Sequence, residues 1–144
     1  MKVVIMGCGR VGAELATQLD HQGHQVTVID INPEAFRRLP MDFKGRKVVG
    51  NGVDQDVLRR VGVGEAQAFV AVTQGDNRNI MAAQMAKFIF GVPKALCRIY
   101  DPARQEIYRS LGLETVSPTR ITVEMLLKAL ASEAEDKGGG GSCT

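Results

Sequence analysis

Apolar residues in this chain fall into short runs separated by longer, periodically patterned stretches. Lys2-Val3-Val4-Ile5-Met6 is the first run and stops at Gly7. Being apolar almost throughout, it predicts a strand buried on both faces. From about Arg10 to His21, Val11, Leu15 and Leu19 recur at spacing four, the apolar face of a helix that Gly23 ends. Gln25 to Asp30 predicts a second strand. Asn32 then stands as N-cap before Pro33, opening a short helix that ends before Pro40. Lys47 to Gly50 predicts a third strand, and Asp54 caps a helix carrying Val57, Leu58 and Val61. Ala68 to Thr73 is the clearest strand of all. The polar loop Gln74-Gly75-Asp76-Asn77 leads from it into a helix with Ile80, Ala83, Met85 and Phe88. Ala95 to Tyr100 predicts a fifth strand, Asp101-Pro102 a helix start, and Glu114 to Val116 a sixth strand. Ser117-Pro118 opens a last helix with Val123, Leu126, Leu127 and Leu130.

Strict alternation of strand and helix predicts an α/β fold, because right-handed crossovers place helices on both faces of a parallel sheet. The expected architecture is Rossmann-like: a doubly wound parallel six-stranded sheet in the order 3-2-1-4-5-6. The sequence reads as one domain over residues 1–137. Residues 138–144, with four glycines and a serine, read as a flexible linker tail, and the natural protein is expected to continue beyond Lys137.

Composition narrows the function classes. With 144 residues, 44% hydrophobic and 24% charged, the chain has the makings of a packed core. A net charge of +2 is too small to argue for nucleic acid or an anionic membrane. Arg37-Arg38, Lys44 to Lys47 and Arg59-Arg60 therefore read as solvated faces. No apolar run approaches the roughly 18 residues that span a bilayer, and Met1 leads straight into a strand, so neither a membrane span nor a signal peptide is expected. Cys8, Cys97 and Cys143 form no C-x-x-C pair, which suits a reducing cytoplasm. His21 and His24 lack companion ligands and read as surface residues.

The chemistry concentrates at strand ends. Gly7-Cys8-Gly9-Arg10-Val11-Gly12 matches G-x-G-x-x-G after a strand and before a helix, and Asp30 closes the second strand 18 positions past Gly12. That context is what a phosphate-binding fingerprint requires. Gly7 permits the turn, Gly9 admits a pyrophosphate to the backbone, and Gly12 allows close helix packing. The helix N-terminus supplies free amides and positive dipole. Asp30 is placed to accept ribose hydroxyls and to repel a 2′-phosphate. Arg10 either neutralises extra phosphate charge or is an exposed helix arginine. Thr73, Gln74, Asp76 and Asn77 follow the fourth strand at the switch point. They either contact phosphates or merely cap a loop. Asn51 and Gly52 fall where an adenine edge would lie. Arg98, a charge in an apolar strand, calls for a phosphate or carboxylate partner unless its strand is an edge.

Taken together these stretches resemble the N-terminal nucleotide-binding domain of the TrkA/KtrA type, also called RCK or KTN. The resemblance covers about residues 1–132 and rests on V-V-I-M-G-C-G-R-V-G, V-I-D-I-N, G-N-G-V-D-Q-D-V-L at 50–58, A-V-T-Q-G-D-N-R-N-I at 71–80, C-R-I-Y-D-P at 97–102 and L-G-L-E-T-V-S-P at 111–118. It implies a cytoplasmic regulator on the inner face of the membrane, a homodimer or larger ring bound to a potassium channel or transporter subunit. It implies ATP, ADP or AMP, or else NAD(H), as ligand, and no nucleic acid. On that pattern the site comprises Gly7, Cys8, Gly9, Arg10, Val11, Gly12, Asp30, Ile31, Asn51, Gly52, Val53, Thr73, Gln74, Gly75, Asn77 and Arg98. Arginine at the place of Arg10 marks ATP/ADP responders. Some members hold a metal through a glutamate where this chain has Thr119, so no metal is expected. The family's C-terminal regulatory domain is absent from this sequence.

Two other functions compete. An NAD-dependent oxidoreductase fragment needs a catalytic acid–base, yet Tyr100 is followed four residues on by Arg104 and Tyr108 by Gly112, not lysine. A structural assembly domain would instead use the apolar face of the last helix, Val123 to Leu130, against a partner. No enzymatic activity is expected.

Overall fold

The computed structural model describes the backbone of residues 1–140 and the side chains of residues 1–132. Six parallel strands form one sheet: β1 (Lys2–Met6), β2 (Gln25–Asp30), β3 (Arg46–Val49), β4 (Ala68–Ala71), β5 (Lys94–Arg98) and β6 (Glu114–Val116). Their order is β3-β2-β1-β4-β5-β6, as the alternating pattern predicts. β1 is central, pairing Ile5 with Val28 on one side and Val70 on the other. The chain therefore reverses direction across the sheet between β1 and β4, and the gap at their carboxyl ends is the switch point of this architecture.

Among the described residues five α-helices connect and follow the strands: α1 (Arg10–His21), α2 (Gln55–Arg60), α3 (Asp76–Gln84), α4 (Pro102–Ser110) and α5 (Pro118–Gly140). A 3₁₀ helix, Pro33–Arg38, joins β2 towards β3, and its N-cap Asn32 accepts from the Glu34 amide as the Asn-Pro signature predicts. Asp54 and Asp101 cap α2 and α4 in the same way. One departure is the end of the fourth helical stretch: α3 gives way to a π-helical turn over Met85–Ile89, where the Phe90 amide reaches back five residues to the Met85 carbonyl. α5 runs into the glycine stretch expected as linker, and Gly141 to Thr144, including Cys143, lie outside the described residues.

The core splits in two because the sheet is apolar on both faces. One cluster packs Val4, Met6, Ile29 and Phe69 against α2, α3 and the residues before β5. The other packs Val3, Ile5, Val26 and Val28 against α1 and the 3₁₀ helix. On α1 the expected face forms, but it is not the most deeply buried one. Gly12, Ala13 and Ala16 are its buried residues, whereas Val11 is half-exposed and Leu15 and Leu19 are only partly buried. Small residues let the helix lie close to β1 and β2, and the larger apolar stripe turns sideways along the sheet. There, with Val70, Leu96, Val116 and Ile121, it borders an almost wholly apolar groove of about 500 Å³. His21 points towards Asp42 and His24 meets the Met1 amine, so the two histidines serve separate surfaces.

Candidate functional site

The glycine turn is built by backbone constraints. Gly7 has a φ of 108°, a left-handed conformation that favours glycine, and a Cβ there would stand 3.0 Å from the Val72 carbonyl and the Thr73 nitrogen. Its amide donates to the Ile29 carbonyl at 2.8 Å. A Cβ on Gly12 would fall 1.8 Å from the Gly7 carbonyl oxygen, so α1 begins pressed onto the turn itself. Gly9 is the opposite case: nothing lies within 4 Å of where its Cβ would be. The backbone there is open to the cleft beside the unpaired first amides of α1, which is what an approaching anion needs.

Asp30 ties the turn to β2. One carboxylate oxygen accepts from the Cys8 amide at 2.7 Å and the other from the Asn32 amide at 2.8 Å. Each oxygen keeps a lone pair for a further donor such as a hydroxyl. The Cys8 side chain is fully buried, and burial first, then the Asp30 charge, pushes its thiol up from the ordinary range. Cys8 thus contributes its amide to the site, while its sulfur packs.

These residues line a cleft of about 730 Å³ at the carboxyl ends of the strands, within the size range of small-molecule sites. Of the residues expected from sequence, Gly7, Cys8, Gly9, Arg10, Val11, Asp30, Ile31, Asn51, Gly52, Val53, Thr73, Gln74 and Arg98 line it. Gly12 lies beneath. Gly52 brings the loop after β3 so close to β1 that a Cβ would stand 2.0 Å from the Met6 sulfur. Gly75 and Asn77 are not among the lining residues. Asn77 instead accepts from Arg104 at 2.6 Å, and Asp76 accepts from the Tyr100 amide at 2.9 Å, so both tie α3 to the segment after β5. Thr73 lines the cleft but turns its polar groups inward, its amide and hydroxyl both donating to Asn79.

Arg98 sits on an interior strand, β5, which removes the edge-strand reading. Its partners are not carboxylates but the carbonyls of Val72 and Thr73, at 3.0 and 2.9 Å, and its guanidinium lies over the Tyr100 ring. Its Nε is buried without a partner. Sequence reasoning missed two other arginines on the cleft. Arg38 follows Ala35 by three residues, which on a 3₁₀ helix puts both on one side, and both line the cleft. Its neighbour Arg37 pairs outward with Glu34. Arg78 faces the cleft from the first turn of α3. Arg10, Arg38, Arg78 and Arg98 thus surround the cleft, and among the described residues Asp30 is the only acidic one lining it. The balance favours an anionic ligand with a hydroxyl-bearing end at Asp30.

Comparison with known proteins bears on the fold and the family. The profile of the TrkA-N domain matches residues 3–118. The Trk system potassium uptake protein TrkA of Streptomyces coelicolor is 54% identical over 130 residues, 90% of this chain, and the chain spans 58% of that protein's length. The TrkA-N domain of the inner membrane protein ybaL from Escherichia coli superposes with a TM-score of 0.80 at 17% identity, covering 90% of this chain and 96% of that one. The Kef CTD of Shewanella denitrificans in its AMP-bound form gives 0.77 at 23% identity, over 99% and 91%. The GsuK structure bound to ADP gives 0.70 and the GsuK channel bound to NAD 0.71, each at 21% identity over 83% of this chain, with 32% and 22% of those chains covered. At such identities these structures speak for the fold. With the profile spanning most of its length, the chain belongs to the TrkA-N domain family.

Proposed function

We propose that this chain is the nucleotide-sensing module of a potassium-uptake regulator. The observation that carries the reading is the cleft itself: an open Gly9 backbone at the start of α1, Asp30 across from it, and four arginines around a single carboxylate. An adenine nucleotide fits that chemistry, with its ribose on Asp30, its adenine along Asn51 to Val53 and its phosphates over the glycine turn towards Arg10, Arg78 and Arg98. ATP and ADP rank ahead of AMP and NAD(H), because their terminal phosphates bring about three to four negative charges to the four arginines, against about two on AMP or on the doubly esterified pyrophosphate of NAD(H). Solved neighbours that hold AMP, ADP and NAD support the ligand class. The name of the Streptomyces relative supports the potassium system. No helix among the described residues is long and apolar enough to cross a membrane. On this proposal the module acts from the cytoplasm, on a potassium transporter or channel subunit, as a regulator without catalysis of its own.

Ligand binding is read by melting. A ligand that binds only the folded chain stabilises it by RT ln(1 + [L]/Kd), about 2.7 kcal/mol at a hundredfold excess over Kd. ATP and ADP are expected to raise the melting temperature more than AMP or NADH at equal concentration. Equal shifts would defeat a phosphate-counting switch, and no shift with any of them would defeat nucleotide sensing.

Dimerisation belongs to the same proposal. Met125, Leu126, Leu127 and Leu130 stand exposed on α5, near the apolar groove that Val11, Leu15 and Ile121 border. A helix apolar on its exposed faces, on a chain that also carries an uncovered apolar groove, is suited to a second copy. Leu127→Glu is expected to turn a dimer into a monomer in light scattering. An unchanged mass would remove α5 from the interface.

A further inference from the structure

Asn79 is fully buried on α3, among Ile80, Ala82 and Ala83, and does not itself line the cleft. Its Oδ1 accepts from the Thr73 amide at 2.9 Å and the Thr73 hydroxyl at 2.6 Å. Its Nδ2 donates to the Thr73 carbonyl at 2.9 Å and the Arg98 carbonyl at 3.0 Å. The orientation of the amide is forced, since the Thr73 N–H only donates and both carbonyls only accept. All four of its hydrogen-bonding capacities are used.

The two residues it joins are both cleft walls. Arg98 returns the connection by donating to the Val72 and Thr73 carbonyls. The ends of β4 and β5 are thus closed into a ring through one buried side chain. The ring abuts the glycine turn, because Gly7 is packed against Val72 and Thr73. An asparagine in a helix interior is a poor helix former and costs desolvation, and an apolar residue would satisfy neither Thr73 nor Arg98.

We propose that Asn79 is the positioning residue of the anionic end of this site. It touches no ligand, and it sets where Thr73 and Arg98 stand relative to the glycine turn. Affinity for the phosphates therefore depends on it, whereas affinity for the adenosine end, held by Asp30 and the loop after β3, does not. The inference rests on the nucleotide reading above.

Calorimetric titration of ADP and of adenosine into wild type, Asn79→Ala, Asn79→Ser and Val92→Ala tests it, with each protein's melting temperature measured alongside. Val92 is buried at the amino end of β5, away from the cleft, so its truncation lowers stability alone. Both Asn79 variants are expected to lose ADP affinity about tenfold while adenosine stays within about threefold, the loss of hydrogen bonds to a charged ligand's supports. Val92→Ala should melt lower and keep the wild-type ratio of ADP to adenosine affinity. If the Asn79 variants keep that ratio while melting lower, the residue is merely structural and the proposal falls. It falls in the same way if neither Asn79 variant folds while Val92→Ala does. If wild type binds neither compound, the nucleotide reading fails and takes this inference with it.

Discussion

Replacing Gly12 by alanine is expected to destabilise the domain by roughly 3 kcal/mol, the upper end of what overpacking costs. The new Cβ would stand 1.8 Å from the Gly7 carbonyl oxygen and 2.9 Å from its carbon, with the Val72 side chain at 3.3 Å on another side. Two of those three contacts are backbone, so no rotamer change relieves them. Either α1 moves off the turn or the turn moves off β1 and β4. α1 cannot move without opening the cluster that Ala13 and Ala16 form with Val3, Ile5 and Val28. The turn cannot move without losing the Gly7 bond to Ile29 and the Cys8 bond to Asp30. Urea denaturation of wild type and variant reads the effect. A midpoint unchanged in Gly12→Ala would mean that the helix does not sit on the turn as described.

Asp30→Asn is expected to be almost as damaging to the site, although it changes neither size nor shape. Both carboxylate oxygens of Asp30 accept from backbone amides, Cys8 on one and Asn32 on the other. Asparagine has one acceptor oxygen. Whichever way its amide turns, its NH₂ group faces an N–H, and one backbone donor goes unmet beside a repelling one. The buried Cys8 amide has no water to fall back on, so the oxygen stays with Cys8 and the NH₂ group faces the Asn32 amide. The expected cost is about 2 kcal/mol of stability, since hydrogen bonds to a charged group contribute about 1.5–3 kcal/mol and Asp30 is partly exposed. Affinity for ADP should fall at least about tenfold, because the same substitution halves the acceptors offered to the ribose and loosens the turn under the phosphates. Denaturation and calorimetry on one preparation would show both. Full ADP affinity in Asp30→Asn would detach Asp30 from the ligand.

Much of this was legible because it is local. The strands announce themselves as apolar runs, and their alternation with helices leaves few sheet orders, among which six strands behind a glycine fingerprint point to 3-2-1-4-5-6. The glycine turn and Asp30 are separated by a single β–α–β unit, so spacing alone brings them together. What was not legible depends on neighbours across the sheet. Arg98 reads as a charge awaiting a phosphate or a carboxylate unless its strand is an edge, whereas in the fold it holds the carbonyls just past the adjacent strand, Val72 and Thr73, which no residue type advertises. Nothing in the sequence singles out Asn79, because its role exists only once β4 and β5 lie side by side. Val11, Leu15 and Leu19 were correctly a single face, but periodicity says which residues share a face and not what covers it. Arg38 escaped because the pair Arg37-Arg38 reads as one solvated face, whereas the 3₁₀ helix sends Arg37 outward to Glu34 and brings Arg38 to the cleft. The π-helical turn at Met85–Ile89 carries no sequence signal that distinguishes it from the helix before it.

Gly9 tests the central claim most directly, because fold and ligand make opposite demands there. The space around its missing Cβ is empty in the fold, and its φ of −79° suits any residue. Alanine at this position should therefore leave the unfolding free energy measured in urea within about 0.5 kcal/mol of wild type, as surface substitutions usually do. The same Cβ would occupy the approach of a phosphate to the backbone. Calorimetric titration of ADP into wild type should show one saturable site, weakened about tenfold or more in Gly9→Ala at unchanged stability. Equal ADP affinity in the two proteins, or no binding to the folded wild type, would contradict a nucleotide held over this turn.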